Sequence, residues 1–136
     1  TVHPMIILGA GNLGQALANY VDFEKRGFKL VGIFDVNPVL EGIAVRGIEI
    51  QMLSDLPLFL KENEVEIAIL TLPKIKAKEM AKILIDNGIK AIWNFAHVDL
   101  EVLDENVVVE NVHLSDSLMQ LSYNMTKNKR KKETLE

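Results

Sequence analysis

Short apolar runs alternate along the chain with stretches whose apolar residues recur every three to four positions. That alternation predicts βαβ units around a parallel sheet buried on both faces. Met5 to Leu8, Leu30 to Phe34, Ile67 to Leu70, Ala91 to Phe95 and Val107 to Val109 read as strands, with Ile48 to Ile50 as a short further one. Between them, Leu13, Ala16, Leu17 and Tyr20 mark one crossover helix, which Gly27 closes as a C′ glycine. A second helix is expected from an N-cap at Ser54, with Pro57 in its first turn and Leu56, Phe59 and Leu60 facing inward. A third follows Pro73, carries Ala77, Met80, Ala81 and Leu84 on one stripe, and ends at Gly88. The expected class is α/β, a doubly wound, mostly parallel sheet.

The last periodic segment differs from these. Leu114, Leu118, Leu121 and Met125 are spaced by four, three and four residues, with Ser115 and Asp116 suited to a helix start. A seam that narrow either folds back on its own sheet or packs against a second copy of the chain.

Candidate chemistry sits at the end of the first strand. Gly9-Ala10-Gly11-Asn12-Leu13-Gly14 follows an apolar strand and opens a helix, and Asp35 lies 21 positions beyond Gly14. In that setting the glycines are more than a turn. Gly9 permits a tight exit from the strand, Gly11 lets a pyrophosphate approach the backbone, and Gly14 lets helix and strand pack closely. The helix start then offers free N–H groups to an anion, worth roughly 0.3–1 kcal/mol from the dipole. Asp35 ends the second strand, where a carboxylate accepts the ribose hydroxyls of NAD(H). A 2′-phosphate at ~4 Å would be repelled by up to about 4 kcal/mol per charge pair at an effective dielectric of ~20, so NAD is expected over NADP. The fold is therefore expected to be Rossmann-like. Its ligands bind beyond the carboxyl ends of strands, so the loops Thr71-Leu72-Pro73 and Asn94-Phe95-Ala96-His97 are expected to line the pocket. Asn94 would meet the nicotinamide ribose or carboxamide, and Phe95 would give an apolar wall or else belong to the core.

Composition narrows the remaining choices. The chain has 136 residues, 49% of them hydrophobic, enough for one core and too few for two ordinary domains. It has no cysteine, which excludes disulfides and thiol chemistry and suits a reducing cytoplasm. No apolar run reaches the length of a membrane span, so no membrane partner is expected. The formal charge of −4 hides a basic end: the last ten residues hold five basic and two acidic side chains, leaving a charge of −7 on the rest. An acidic body repels a phosphate backbone, and the tail Lys127-Asn128-Lys129-Arg130-Lys131-Lys132 is expected to be solvated and disordered. The domain is thus expected over 1–126, with a tail over 127–136. Three histidines are present, of which His97 and His113 are the only candidates for an acid/base role, and there is no room for a substrate domain. A binding module is expected rather than an enzyme, with no catalytic residue and no metal site.

Four segments together resemble the redox-sensing repressor family Rex: Ile7 to Leu17 around the glycine loop, Phe34-Asp35-Val36-Asn37-Pro38, Gly88 to Ala96 with Asn94-Phe95-Ala96, and Val109-Glu110-Asn111-Val112. The resemblance implies a homodimer that binds NADH and NAD in competition, releases operator DNA when NADH is bound, and exchanges its C-terminal helix, here about 114–126. It implies a nucleotide site at Gly9, Gly11, Asn12, Leu13, Gly14 and Asp35 with the loops at Pro73 and Asn94 to Ala96, and it implies that Tyr20 takes part in the switch. Two departures are visible. The family carries an N-terminal winged helix for DNA, whereas only Thr1 to Pro4 precede the first strand here, so operator DNA is a partner only if such a domain lies upstream. His113 also stands where the family usually has an acidic residue, which makes it a second switch candidate. The alternatives are a CoA- or nucleotide-binding Rossmann domain of a larger enzyme, which Asp35 opposes because CoA carries a ribose phosphate, and a minimal dehydrogenase using His97 as acid/base.

Overall fold

Met5 and Ile7 point to one side of the first strand, Ile6 and Leu8 to the other, and all four are buried. A strand covered on both faces belongs at the centre of a sheet. The computed structural model describes residues 2–20, 22–96, 99–100, 104–112 and 121–130. Among them run β1 (His3–Leu8), α1 (Asn12–Ala18), α2 (Asp22–Lys25), β2 (Phe28–Asp35), β3 (Ala44–Val45), β4 (Ile48–Met52), α3 (Leu56–Glu62), β5 (Ile67–Leu70), α4 (Lys74–Asp86), β6 (Ala91–Asn94) and β7 (Val108–Asn111). A final helix, α5, covers residues 121–130.

The strand order is β3-β4-β2-β1-β5-β6-β7, with every pairing parallel except β3–β4. From β1 the chain moves outward to β2 and β4, then returns to β5 on the other flank of β1. Right-handed crossovers in opposite directions put their helices on opposite faces. Accordingly α3 and α4 cover one face, where Leu56, Leu60, Ala77, Met80, Ala81 and Leu84 pack on Ile6, Leu8, Phe34, Ala68, Leu70 and Ile92. The other face has Met5, Ile7, Ile33 and Ile69 under Leu17, Ala18 and Phe23. The doubly wound, mostly parallel sheet expected from the periodicity is the fold observed.

Four local expectations need correction. The single crossover helix is two: α1 ends at Asn19, whose main-chain and side-chain N–H groups both take the carbonyl of Gln15, while Tyr20 N closes a tighter turn on Leu17 O. Ser54 caps nothing; a 3-10 turn over Leu53–Asp55 buries Leu53, so α3 begins at Leu56 with Pro57 in a first turn that needs no proline N–H. β3 is an addition. It forms a hairpin with β4 through Arg46 and Gly47, both at positive φ (51° and 79°), the mirror-image turn that matches strand twist. Finally, helix α5 runs through Lys127 to Arg130, which were expected in the tail, because lysine and arginine are good helix formers and no glycine or proline interrupts them. The third helix ends as its sequence implies: Gly88, at φ 90°, donates to Ile85 O, and Ile89 N reaches back to Leu84 O.

Candidate functional site

The carboxyl ends of β1 and β5 meet where the chain reverses its direction of winding, the position at which open α/β sheets form a crevice. Gly9 leaves β1 at φ 107° and donates its N–H to Phe34 O at 2.7 Å. A side chain on Gly9 would strike the hydroxyl of Thr71, and one on Gly14 would strike the carbonyl oxygen of Gly9. These two glycines allow strand, loop and helix to touch. Gly11 behaves differently, because a Cβ built there meets no atom within 4 Å. Its bareness leaves the loop's outer surface open, and nothing inside the fold requires it.

Side chains tie the loop down from three directions. The Thr71 hydroxyl lies 3.0 Å from Gly9 O and 3.2 Å from Leu8 O, to either of which it donates. Gln15 Nε2 donates to Ala10 O at 2.7 Å. Asp35 Oδ2 accepts from Ala10 N at 2.6 Å, and Oδ1 accepts from Asn37 N at 2.8 Å. Each carboxylate oxygen thus holds one backbone proton and keeps a lone pair free for a further donor. At the start of α1, Gly11 supplies no side-chain cap, so the N–H groups of the first turn are left for an outside acceptor.

Beside Asp35 lies a cavity of about 340 Å³ lined on one side by Val36, Met52, Leu53 and Pro57 and on the other by Met80 and Ile83, with the Lys76–Glu79 ion pair (3.4 Å) at its rim. Its apolar walls are suited to a flat ring.

The structure brings most of the sequence-derived residues to one edge of the sheet and separates a few by role. Gly9, Gly14, Thr71 and Asp35 are directly linked through the loop, with Gly11, Asn12 and Leu13 on its outward side. Pro73 is exposed at the start of α4, whereas Leu72 is buried in the core beneath α4. Asn94 is fully buried, and its amide is engaged with Asn111 and Ala96 N. Phe95 is half-buried against Trp93 at 4.8 Å, and Ala96 is buried. Tyr20 is 46% exposed and sits edge-on to Phe23 at 4.8 Å, at the break between α1 and α2. His97 and His113 lie outside the described residues, as do Leu114, Leu118, Ser115 and Asp116. Leu121 and Met125 are exposed on α5.

Sequence reasoning did not single out Ala10, Gln15 or Asn111. Ala10 acts through its amide, which no residue type advertises, and Asn111 acts through a strand pairing that only the folded sheet brings about.

Comparison with known proteins agrees with this geometry. A family model described as the CoA binding domain matches residues 2–98, so the chain belongs to that Rossmann-like family. Curated relatives that match most of the chain bear the name redox-sensing transcriptional repressor Rex. The chain is 54% identical over 121 residues to the redox-sensing transcriptional repressor Rex of Caldicellulosiruptor saccharolyticus, covering 89% of this chain and 55% of that protein. Three crystal structures of RSP, a Rex-family repressor, superpose closely, two of them complexes. The complex with β-NADH gives a TM-score of 0.86 at 48% identity over 97% of this chain and 63% of that one. The complex with β-NAD+ and operator DNA gives 0.85 at 48% identity, over 97% and 60%. The Rex resemblance carried by the glycine loop and the Asn-Phe-Ala segment therefore extends over nearly the whole chain. This chain spans a little over half the length of the curated relatives it matches.

Proposed function

We propose that this chain is the NAD(H)-binding, redox-sensing domain of a Rex-like transcriptional repressor. One observation carries the reading: Asp35 holds the amide of Ala10, so the ribose-binding carboxylate and the phosphate-binding loop stand side by side at the reversal point of the sheet. The pyrophosphate lies against the N–H groups of Asn12, Leu13 and Gly14. The free lone pairs of Asp35 take the adenosine ribose hydroxyls, and the adenine enters the cavity beside Val36. The nicotinamide half extends across β1 towards Thr71, Pro73 and the loop Asn94-Phe95-Ala96. The NADH and NAD+ complexes of RSP support this choice of ligand.

Sensing requires unequal binding. A ligand that shifts a two-state protein almost completely must prefer one state by about 5.5 kcal/mol, and equal affinities shift nothing. Calorimetric titration with NADH, NAD and CoA separates the readings. NADH is expected to bind more tightly than NAD, and CoA weakly, because its ribose phosphate meets Asp35. Equal affinity for NADH and NAD would remove the sensor role, and CoA binding above NADH would favour the ligand for which the family model is named.

The same reading gives a cytoplasmic homodimer with no chemistry of its own. Two apolar surfaces support the dimer: the sheet face around Tyr20, Phe23, Trp93 and Val108, and the exposed Leu121, Tyr123 and Met125 of α5. Exchange of α5 between copies would cover both. Light scattering on the chain and on a form ending at Val112 is expected to give dimer and monomer; a dimer from both would refute exchange as the basis of assembly. Operator DNA becomes a partner through a winged-helix domain upstream of this chain, which remains part of the proposal.

A further inference from the structure

We infer that Asn111 is a positioning residue for the nicotinamide half of the site, holding the loop that leaves β6 through a directional pair with Asn94; the inference rests on the dinucleotide reading above. The register of β6 and β7 sets Asn94 directly opposite Asn111 at the carboxyl ends of both strands. Asn94 Nδ2 donates to Asn111 Oδ1 at 2.8 Å. Asn94 Oδ1 accepts from Ala96 N at 3.0 Å, Asn111 Oδ1 accepts from Leu100 N at 3.2 Å, and Val112 N donates to Asn94 O at 2.8 Å. One side-chain pair therefore fixes the main chain on both sides of the loop after β6 and at the exit from β7.

The direction of the pair is set by backbone donors. An N–H can only donate, so Ala96 fixes which end of the Asn94 amide is the oxygen, and Leu100 does the same for Asn111. Asn94 must then be the donor to Asn111 and Asn111 the acceptor. An isosteric carboxylate at position 111 preserves every bond of the cluster. A carboxylate at position 94 faces an oxygen with an oxygen, and Asn111 meets it only by turning its amide and abandoning Leu100 N. Buried polar clusters lose most when one member is left without a partner.

The location decides which half of the ligand is affected. Asp35 marks the adenosine side at the end of β2, and the glycine loop at β1 takes the pyrophosphate, so the remaining half runs towards β5 and β6. Asn111 stands at that far end and touches neither Asp35 nor the glycine loop.

Calorimetric titration with NADH and with ADP-ribose, which lacks the nicotinamide, tests the assignment on the full chain. Asn111→Leu is expected to weaken NADH binding about tenfold while ADP-ribose stays within about twofold. Asn111→Asp should bind NADH like the parent protein, and Asn94→Asp should lose about as much as Asn111→Leu. Equal losses for NADH and ADP-ribose, or unchanged NADH binding in a folded Asn111→Leu protein, would overturn the role. Should Asn111→Leu not fold, the two isosteric variants decide: similar behaviour of Asn111→Asp and Asn94→Asp refutes the directional pair, and the predicted asymmetry supports it. A parent chain that binds neither NADH nor ADP-ribose overturns the proposed function instead, so the two failures are distinct.

Discussion

Gly11 and Gly14 belong to the same loop, yet adding one methyl group to each should have opposite effects on stability. At Gly11 the backbone has φ −76° and ψ −164°, open to any residue, and a Cβ meets no atom within 4 Å. Gly11→Ala therefore meets no clash in the folded state and removes freedom from the unfolded chain, a gain of about 0.4–1 kcal/mol from which the poorer N-cap that alanine makes for α1 subtracts a few tenths. For a domain of this size the net gain raises Tm by up to roughly 3 °C. The methyl group nevertheless stands on the surface that the pyrophosphate is proposed to approach, where an overpacked contact costs about 1–3 kcal/mol, or roughly 5- to 150-fold in NADH affinity. At Gly14 the added Cβ runs into the Gly9 carbonyl oxygen, a backbone atom that cannot swing aside. Gly14→Ala should lower stability by about 1–3 kcal/mol and weaken NADH as well. Trp93, the only tryptophan, makes the assay simple, because its emission overlaps the absorption of reduced nicotinamide. Energy transfer from Trp93 would report NADH binding while thermal melts report stability. A Gly11→Ala protein that is as stable as expected but binds NADH with parental affinity would refute the placement of the pyrophosphate on this loop.

Two further outcomes are expected. Thr71→Val replaces the hydroxyl beside Gly9 O with a methyl group and should lower affinity for NADH and ADP-ribose together, by about three- to tenfold, while Thr71→Ser restores both; a difference between the two ligands would argue against a loop-holding role. At the opposite end of the sheet, the hydrogen bond from His3 to Glu66 at 2.6 Å is the main cause holding the Glu66 carboxyl below its usual value of 4.5. A depressed carboxylate pKa stabilises the fold above the unfolded value and loses that contribution as pH falls through the folded one, so Tm of the parent should drop more steeply below pH ~4.5 than that of Glu66→Gln. Parallel Tm profiles would show that the pair contributes nothing.

The βαβ order, the two-faced burial of the strands and the glycine loop between strand and helix were legible in the sequence because each is a local pattern. Ile6 and Leu8 alternate with Met5 and Ile7, Ala77 to Leu84 recur at helical spacing, and the glycines sit between a strand and a helix. The ends of elements were less legible. Tyr20 continues the apolar spacing of α1, but the capture of the Gln15 carbonyl by Asn19 ends the helix before it. The hairpin of β3 and β4 turns on Arg46-Gly47, a pair that lacks the usual asparagine or aspartate signal.

Local order along the chain determined that a glycine loop would follow the first strand and that Asp35 would close the second, since both depend on residues close in sequence. Only the folded sheet decided what those groups touch. Thr71 reaches Gly9 across 62 residues, Asp35 reaches Ala10 across 25, and Asn94 finds Asn111 across 17. Hydrogen bonds of that span have no periodic signature, because their geometry comes from strand order and register, which emerge when two apolar faces are buried at once.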